Sequence, residues 1–131
     1  MSGNAKEYTS FDALLKKPAR TKDITVASRD DSGEECSLEV RIKAVSSHEY
    51  DRLVAECPPT TQQKKDEAAF NIDKFAPRLL SACFVSPALT IEEATDLYTS
   101  PDWSAGEIGG LYMQCMRLCT EGFNIPTTAS V

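Results

Sequence analysis

The sequence predicts an α+β fold: an N-terminal β-hairpin followed by a mostly helical domain of about four helices. Three observations carry that reading. Period-two alternation of apolar and polar residues is confined to residues 23–44. Beyond it, Ser46 with Glu49, Thr90 with Glu93 and Ser104 with Glu107 stand at the spacing of a capping box, in which hydroxyl and carboxylate satisfy orphan backbone N–H groups. Between these start signals, apolar residues recur at i, i+3 and i+4, the stripe of a helix that covers a core.

The chain of 131 residues suits one domain, placed at residues 22–121 between a flexible arm, 1–21, and a flexible tail, 122–131. Within the arm, Ser10 to Lys17 reads as a short helix that Pro18 stops. It either docks loosely through Phe11, Leu14 and Leu15 or orders only on a partner. In the hairpin, 23–44, Ile24, Val26 and Ser28 form one face of the first strand. Cys36, Leu38, Val40 and Ile42 form that of the second, across the polar turn Asp30 to Glu35. The first helix, 47–57, places Tyr50, Leu53, Val54 and Cys57 on one face and ends at Pro58-Pro59. A polar connection, Thr60 to Lys65, leads to a helical region at 66–85 with the stripe Ile72, Phe75, Ala76, Leu79, Leu80 and Cys83. Pro77 lacks the N–H that would bond Asp73, so a kink or two abutting helices is expected there. A helix at 91–98 follows Pro87. After the turn Ser100-Pro101-Asp102 the last helix, 105–119, carries Ile108, Leu111, Tyr112, Cys115, Leu118 and Cys119, and Gly122 stops it.

Composition excludes several classes of function. Lys and Arg number 14 against 20 Asp and Glu, a formal net charge of −6, so broad neutralisation of nucleic-acid phosphates is not expected. The polar N-terminus lacks a signal-peptide core, and no apolar run is long enough to span a bilayer, which points away from a membrane and to the cytoplasm. The five cysteines, Cys36, Cys57, Cys83, Cys115 and Cys119, are odd in number and irregularly spaced, which suits a reducing compartment, and four of the five fit an apolar stripe as small core hydrophobes. Cys115 and Cys119 share a helix face, yet a structural zinc site needs two further ligands and His48 is the single histidine. No phosphate-loop, dinucleotide, zinc-protease or nucleophile-elbow motif occurs, and Gly109-Gly110 lies inside a helix, where close helix packing is the expected reason for it. No catalytic, cofactor-binding or metal-ligating residue is therefore assigned. A small cysteine-dependent enzyme pairing His48 with Cys36 or Cys57 stays open as an alternative.

Two features point outward. A lone two-stranded hairpin is marginal in water and offers an unpaired edge, to another subunit or to an extended peptide. Phe70 and Phe84, 14 residues apart, lie off the main stripe of the long helical region. This second apolar face serves either complete burial or a partner. The candidate partner-binding residues are Phe70, Phe84, Leu111, Tyr112 and Met116.

The order of elements resembles the tail assembly chaperones of long-tailed bacteriophages. The residues that carry the resemblance are the strand Cys36-Ser37-Leu38-Glu39-Val40-Arg41-Ile42-Lys43 and the helix Ser47-His48-Glu49-Tyr50-Asp51-Arg52-Leu53 directly after it. The segments Leu79-Leu80-Ser81-Ala82-Cys83 and Ile91-Glu92-Glu93-Ala94 follow, then the last helix opening Asp102-Trp103-Ser104-Ala105-Gly106-Glu107-Ile108. The resemblance covers about Ile24 to Glu121. It implies a non-enzymatic protein of the host cytoplasm, without cofactor, that coats the tape-measure protein and keeps it soluble until tail-tube subunits replace it. It implies self-association as well, and a short product of a gene frameshifted near its end. The alternative is a small intracellular protein-binding adaptor domain of phage or bacterial origin.

Overall fold

The computed structural model describes residues 9–122; of the flexible arm expected at 1–21 and the flexible tail expected at 122–131, residues 1–8 and 123–131 lie outside them. The fold is mixed α+β, with strands early and helices later. In chain order the elements are α1 (Phe11–Leu15), β1 (Thr21–Arg29), β2 (Glu35–Lys43), α2 (Ser47–Ala55), α3 (Thr61–Lys65), α4 (Ile72–Cys83), β3 (Phe84–Ser86), α5 (Ile91–Tyr98) and α6 (Ala105–Thr120).

The hairpin pairs residue for residue from Thr21↔Lys43 to Arg29↔Glu35. Its turn is closed by local chemistry. Gly33 takes φ +87°, a left-handed conformation that costs glycine little. The Asp30 carboxylate accepts the N–H groups of Ser32 at 2.9 Å and Glu34 at 3.0 Å. Across the outer face, Arg41 holds Asp23, its register partner, through two hydrogen bonds of 2.8 and 3.2 Å.

The helical region expected at 66–85 is shorter at both ends. Before it, the segment expected as a polar connection forms a helix of its own at 61–65, because Thr60 and Gln63 make a reciprocal capping box. Glu67 then adopts φ +63° and breaks the path, so α4 begins only after Asn71. At the other end Phe84 turns extended (φ −69°, ψ 123°) and pairs with Ile42, making β3 the third strand of a sheet ordered β1-β2-β3. The hairpin is thus not alone: β3 covers the β2 edge at Arg41 and Ile42, while the outer edge of β1 has no strand partner among the described residues.

Pro77 does not divide α4, which runs continuously from Ile72 to Cys83. The carbonyl that loses its partner belongs to Asp73, in the exposed first turn of the helix. Of the expected stripe, Phe75, Ala76, Leu79, Leu80 and Cys83 are buried and Ile72 is exposed. α4 sits centrally, against α2, α5 and α6, and its buried face joins Ile42 of the sheet and Cys115 of α6 in one core. No helix among the described residues is long and apolar enough to cross a membrane.

Candidate functional site

The inner face of β2 passes from open to closed along its length. Leu38 is 49% exposed, Val40 is buried and Ile42 is fully enclosed. The reason is coverage: β3 reaches only Arg41 and Ile42, so the half of the sheet nearest the hairpin turn projects past it. What remains is a cleft of about 570 Å³ between this half of the sheet and the α5–α6 side of the molecule. Val40, Phe84 and Leu111 are its buried floor, Val26 and Leu38 one wall, and Leu89, Leu97 and Trp103 the other. A second recess of about 300 Å³ shares Val26, Trp103 and Leu111 with the first and extends between β1 and α6. Trp103 therefore stands within a trough open on both sides of it.

The capping boxes that start α5 and α6 also place charge on this trough. Glu93 accepts the Thr90 N–H at 2.9 Å and lines the cleft together with Asp96, one turn further along α5. Glu107 accepts the Ser104 N–H at 2.8 Å, and its contacts with the Ser104 backbone and side chain hold its carboxyl below the usual range, ionised at neutral pH. Glu107 and Asp102 line the second recess. Neither recess has a lysine or arginine in its lining among the described residues.

The five residues singled out from the sequence separate. Phe84 and Leu111 lie in the cleft, as floor rather than as free surface. Tyr112 is core: its ring meets Phe75 edge-on at 6.3 Å, and burial pushes its phenol up to about 12. Phe70 stacks at 4.6 Å on the same Phe75, and Met116 packs half-buried on the core; neither lines the cleft. The expectation that Phe70 and Phe84 share a second helix face is overturned, since one precedes α4 and the other begins β3. Sequence reasoning missed Leu38, Leu97 and Trp103 as site residues. Leu38 belongs to the alternating face of β2, and nothing local reveals that the helices stop short of it. Gly109 and Gly110 are not close-packing positions, because a Cβ at either would meet no atom within 4 Å.

No hydrogen bond joins His48 to a cysteine among the described residues. His48 is exposed on the first turn of α2, and the sulfur contacts lie elsewhere. Cys83 and Cys119 approach to 3.6 Å, and the Val45 N–H donates to Cys119 at 3.4 Å. A hydrogen bond with Cys115, followed by burial, pushes the Cys83 thiol up to about 12. The contact with Cys83 and burial likewise raise Cys119. Among the described residues no group of three or more histidine, cysteine or acidic side chains is arranged to hold a metal ion. The chemistry this arrangement offers is binding: apolar walls for an aliphatic or aromatic face and carboxylates for a basic flank. The chain matches no protein-family model, no curated protein and no solved structure.

Proposed function

We propose that this chain is a tail assembly chaperone of a long-tailed bacteriophage, acting in the host cytoplasm on the tape-measure protein. The observation that carries the reading is the acid-lined apolar cleft, with Leu38 49% exposed on its wall. An amphipathic helix of the client laid along it would cover that leucine with Leu97 and Trp103. Each large apolar side chain fully buried there contributes about 1.5–3 kcal/mol. Helix-in-groove contacts of this kind form and release without chemistry, as a chaperone needs if tail-tube subunits are to displace it. The order of hairpin and helices supports the same reading.

The test is co-expression with a cognate tape-measure protein, followed by separation of soluble from aggregated client. The expected outcome is soluble tape measure with the native chain and aggregated tape measure with Leu38→Asp or Leu97→Asp. Equal insolubility with and without the native chain overturns the assignment.

A further inference from the structure

The cleft has a second candidate occupant within the sequence itself. α1 places Phe11, Leu14 and Leu15 at i, i+3 and i+4, yet buries none of them: they are 72%, 63% and 68% exposed. Three large apolar side chains on one face of a capped helix make a surface that its own domain does not cover. Lys16 and Lys17 follow directly, so the arm pairs an apolar face with a basic flank. The cleft has the complementary character, apolar between Leu38, Leu97 and Trp103 and lined by Glu93 and Asp96 with no basic residue.

Reach decides which copy of the cleft the arm meets. Residues 17–20 line a recess formed with Val45, Leu118 and Cys119. Arg20 is tied there: its guanidinium donates to the Glu121 carbonyl at 2.8 Å, and its own carbonyl accepts the Ala44 N–H at 2.8 Å. From that anchor to Val26 at the cleft, the chain rises about 20 Å. Only Lys16 and Lys17 separate Leu15 from Pro18, a span of about 10 Å at full extension, and the short helix carries Phe11 only about 6 Å further. The arm therefore falls short of its own cleft while it remains presented to a neighbour's. We infer that α1 of one copy docks Phe11, Leu14 and Leu15 into the acid-lined cleft of a second copy, with Lys16 and Lys17 against Glu93 and Asp96. This takes from the proposed function only that the cleft receives an apolar helix, and it makes the arm a competitor of the client.

Two full-length variants test it by complementation in light scattering. Leu14→Asp spoils the arm and leaves the cleft; Leu38→Asp spoils the cleft and leaves the arm. Both positions are exposed, so each variant should keep the native melting profile. The native chain is expected to self-associate, and each variant alone to do so roughly tenfold or more weakly. An equimolar mixture of the two should recover assembly, because one intact arm then meets one intact cleft. A native chain that stays monomeric at its highest attainable concentration overturns the inference. So does assembly that survives Leu14→Asp, which assigns self-association to the β1 edge instead. The two proposals fail separately. If Leu14→Asp releases the self-association but the tape measure aggregates regardless, the client reading fails alone. If Leu14→Asp leaves assembly intact while Leu38→Asp loses client solubility, the arm inference fails alone.

Discussion

The cysteines show how burial decides what a side chain can do. A thiol attacks as thiolate, and the Cys83 thiol, pushed up to about 12, holds almost none at neutral pH. Cys57 and Cys115 are buried in the same core, whereas Cys36 lies half-buried on the hairpin. Brief alkylation of the native protein, read by mass spectrometry, is therefore expected to modify Cys36 first, with Cys57, Cys83 and Cys115 reacting only as the protein unfolds. Labelling of Cys57 as fast as Cys36 would instead favour the cysteine-enzyme alternative. At this scale the sequence was legible: apolar spacing and the lack of paired motifs led to core thiols. It was not legible for Leu38 and Trp103, whose exposure depends on where other elements end.

Elements with their own start signals could be read from the sequence, and those made by a neighbour could not. Ser46, Thr90 and Ser104 each cap the helix expected after them. The hairpin follows from its alternation. β3 has no such signal; Phe84-Val85-Ser86 is a strand because the open edge of β2 lies beside it. α3 is the exception: its threonine–glutamine box is a start signal of its own, yet with only five residues behind it the segment passed for a polar connection. Caps are also where a single change tests an element. Ser104 accepts the Glu107 N–H at 3.1 Å and starts the helix that supplies Leu111 to the cleft floor. Ser104→Ala is expected to cost about 1 kcal/mol in urea unfolding. The Ser104 backbone N–H is the larger of the contacts that lower the Glu107 carboxyl and alanine keeps it, so the same variant should raise the Glu107 titration only part of the way, observable by NMR. The sign is fixed: the cap stabilises above the ordinary carboxylate range and fades as pH falls through the lowered value. A Glu107 titration that does not move would show that the Ser104 hydroxyl contributes nothing to it in solution.

For the molecule as a whole, pH should act from the alkaline side. Tyr112 and Cys83 both keep their protons to about 12 in the folded state, against ordinary values of 10.0 and 9.0. Burial is the first cause for Tyr112, the hydrogen bond with Cys115 for Cys83. Between those limits the folded chain binds protons that the unfolded chain has released. Stability is then fully present below about pH 9 and declines as pH rises toward 12. The Tyr112 hydroxyl adds a second consequence, since it is buried and has no hydrogen-bond partner among the described residues. An unpaired buried hydroxyl costs free energy that a phenyl ring of the same shape does not. Tyr112→Phe is therefore expected to be at least as stable as the native protein at pH 7, and to lose stability less steeply above pH 9. Urea midpoints measured across this range for both proteins check both statements. The acidic net charge also strains the molecule as pH rises, but equally in the two proteins, so the difference in slope isolates Tyr112. Parallel slopes would show that its hydroxyl reaches water in the folded state, and that the packing of α6 on Phe75 is looser than the edge-on contact implies.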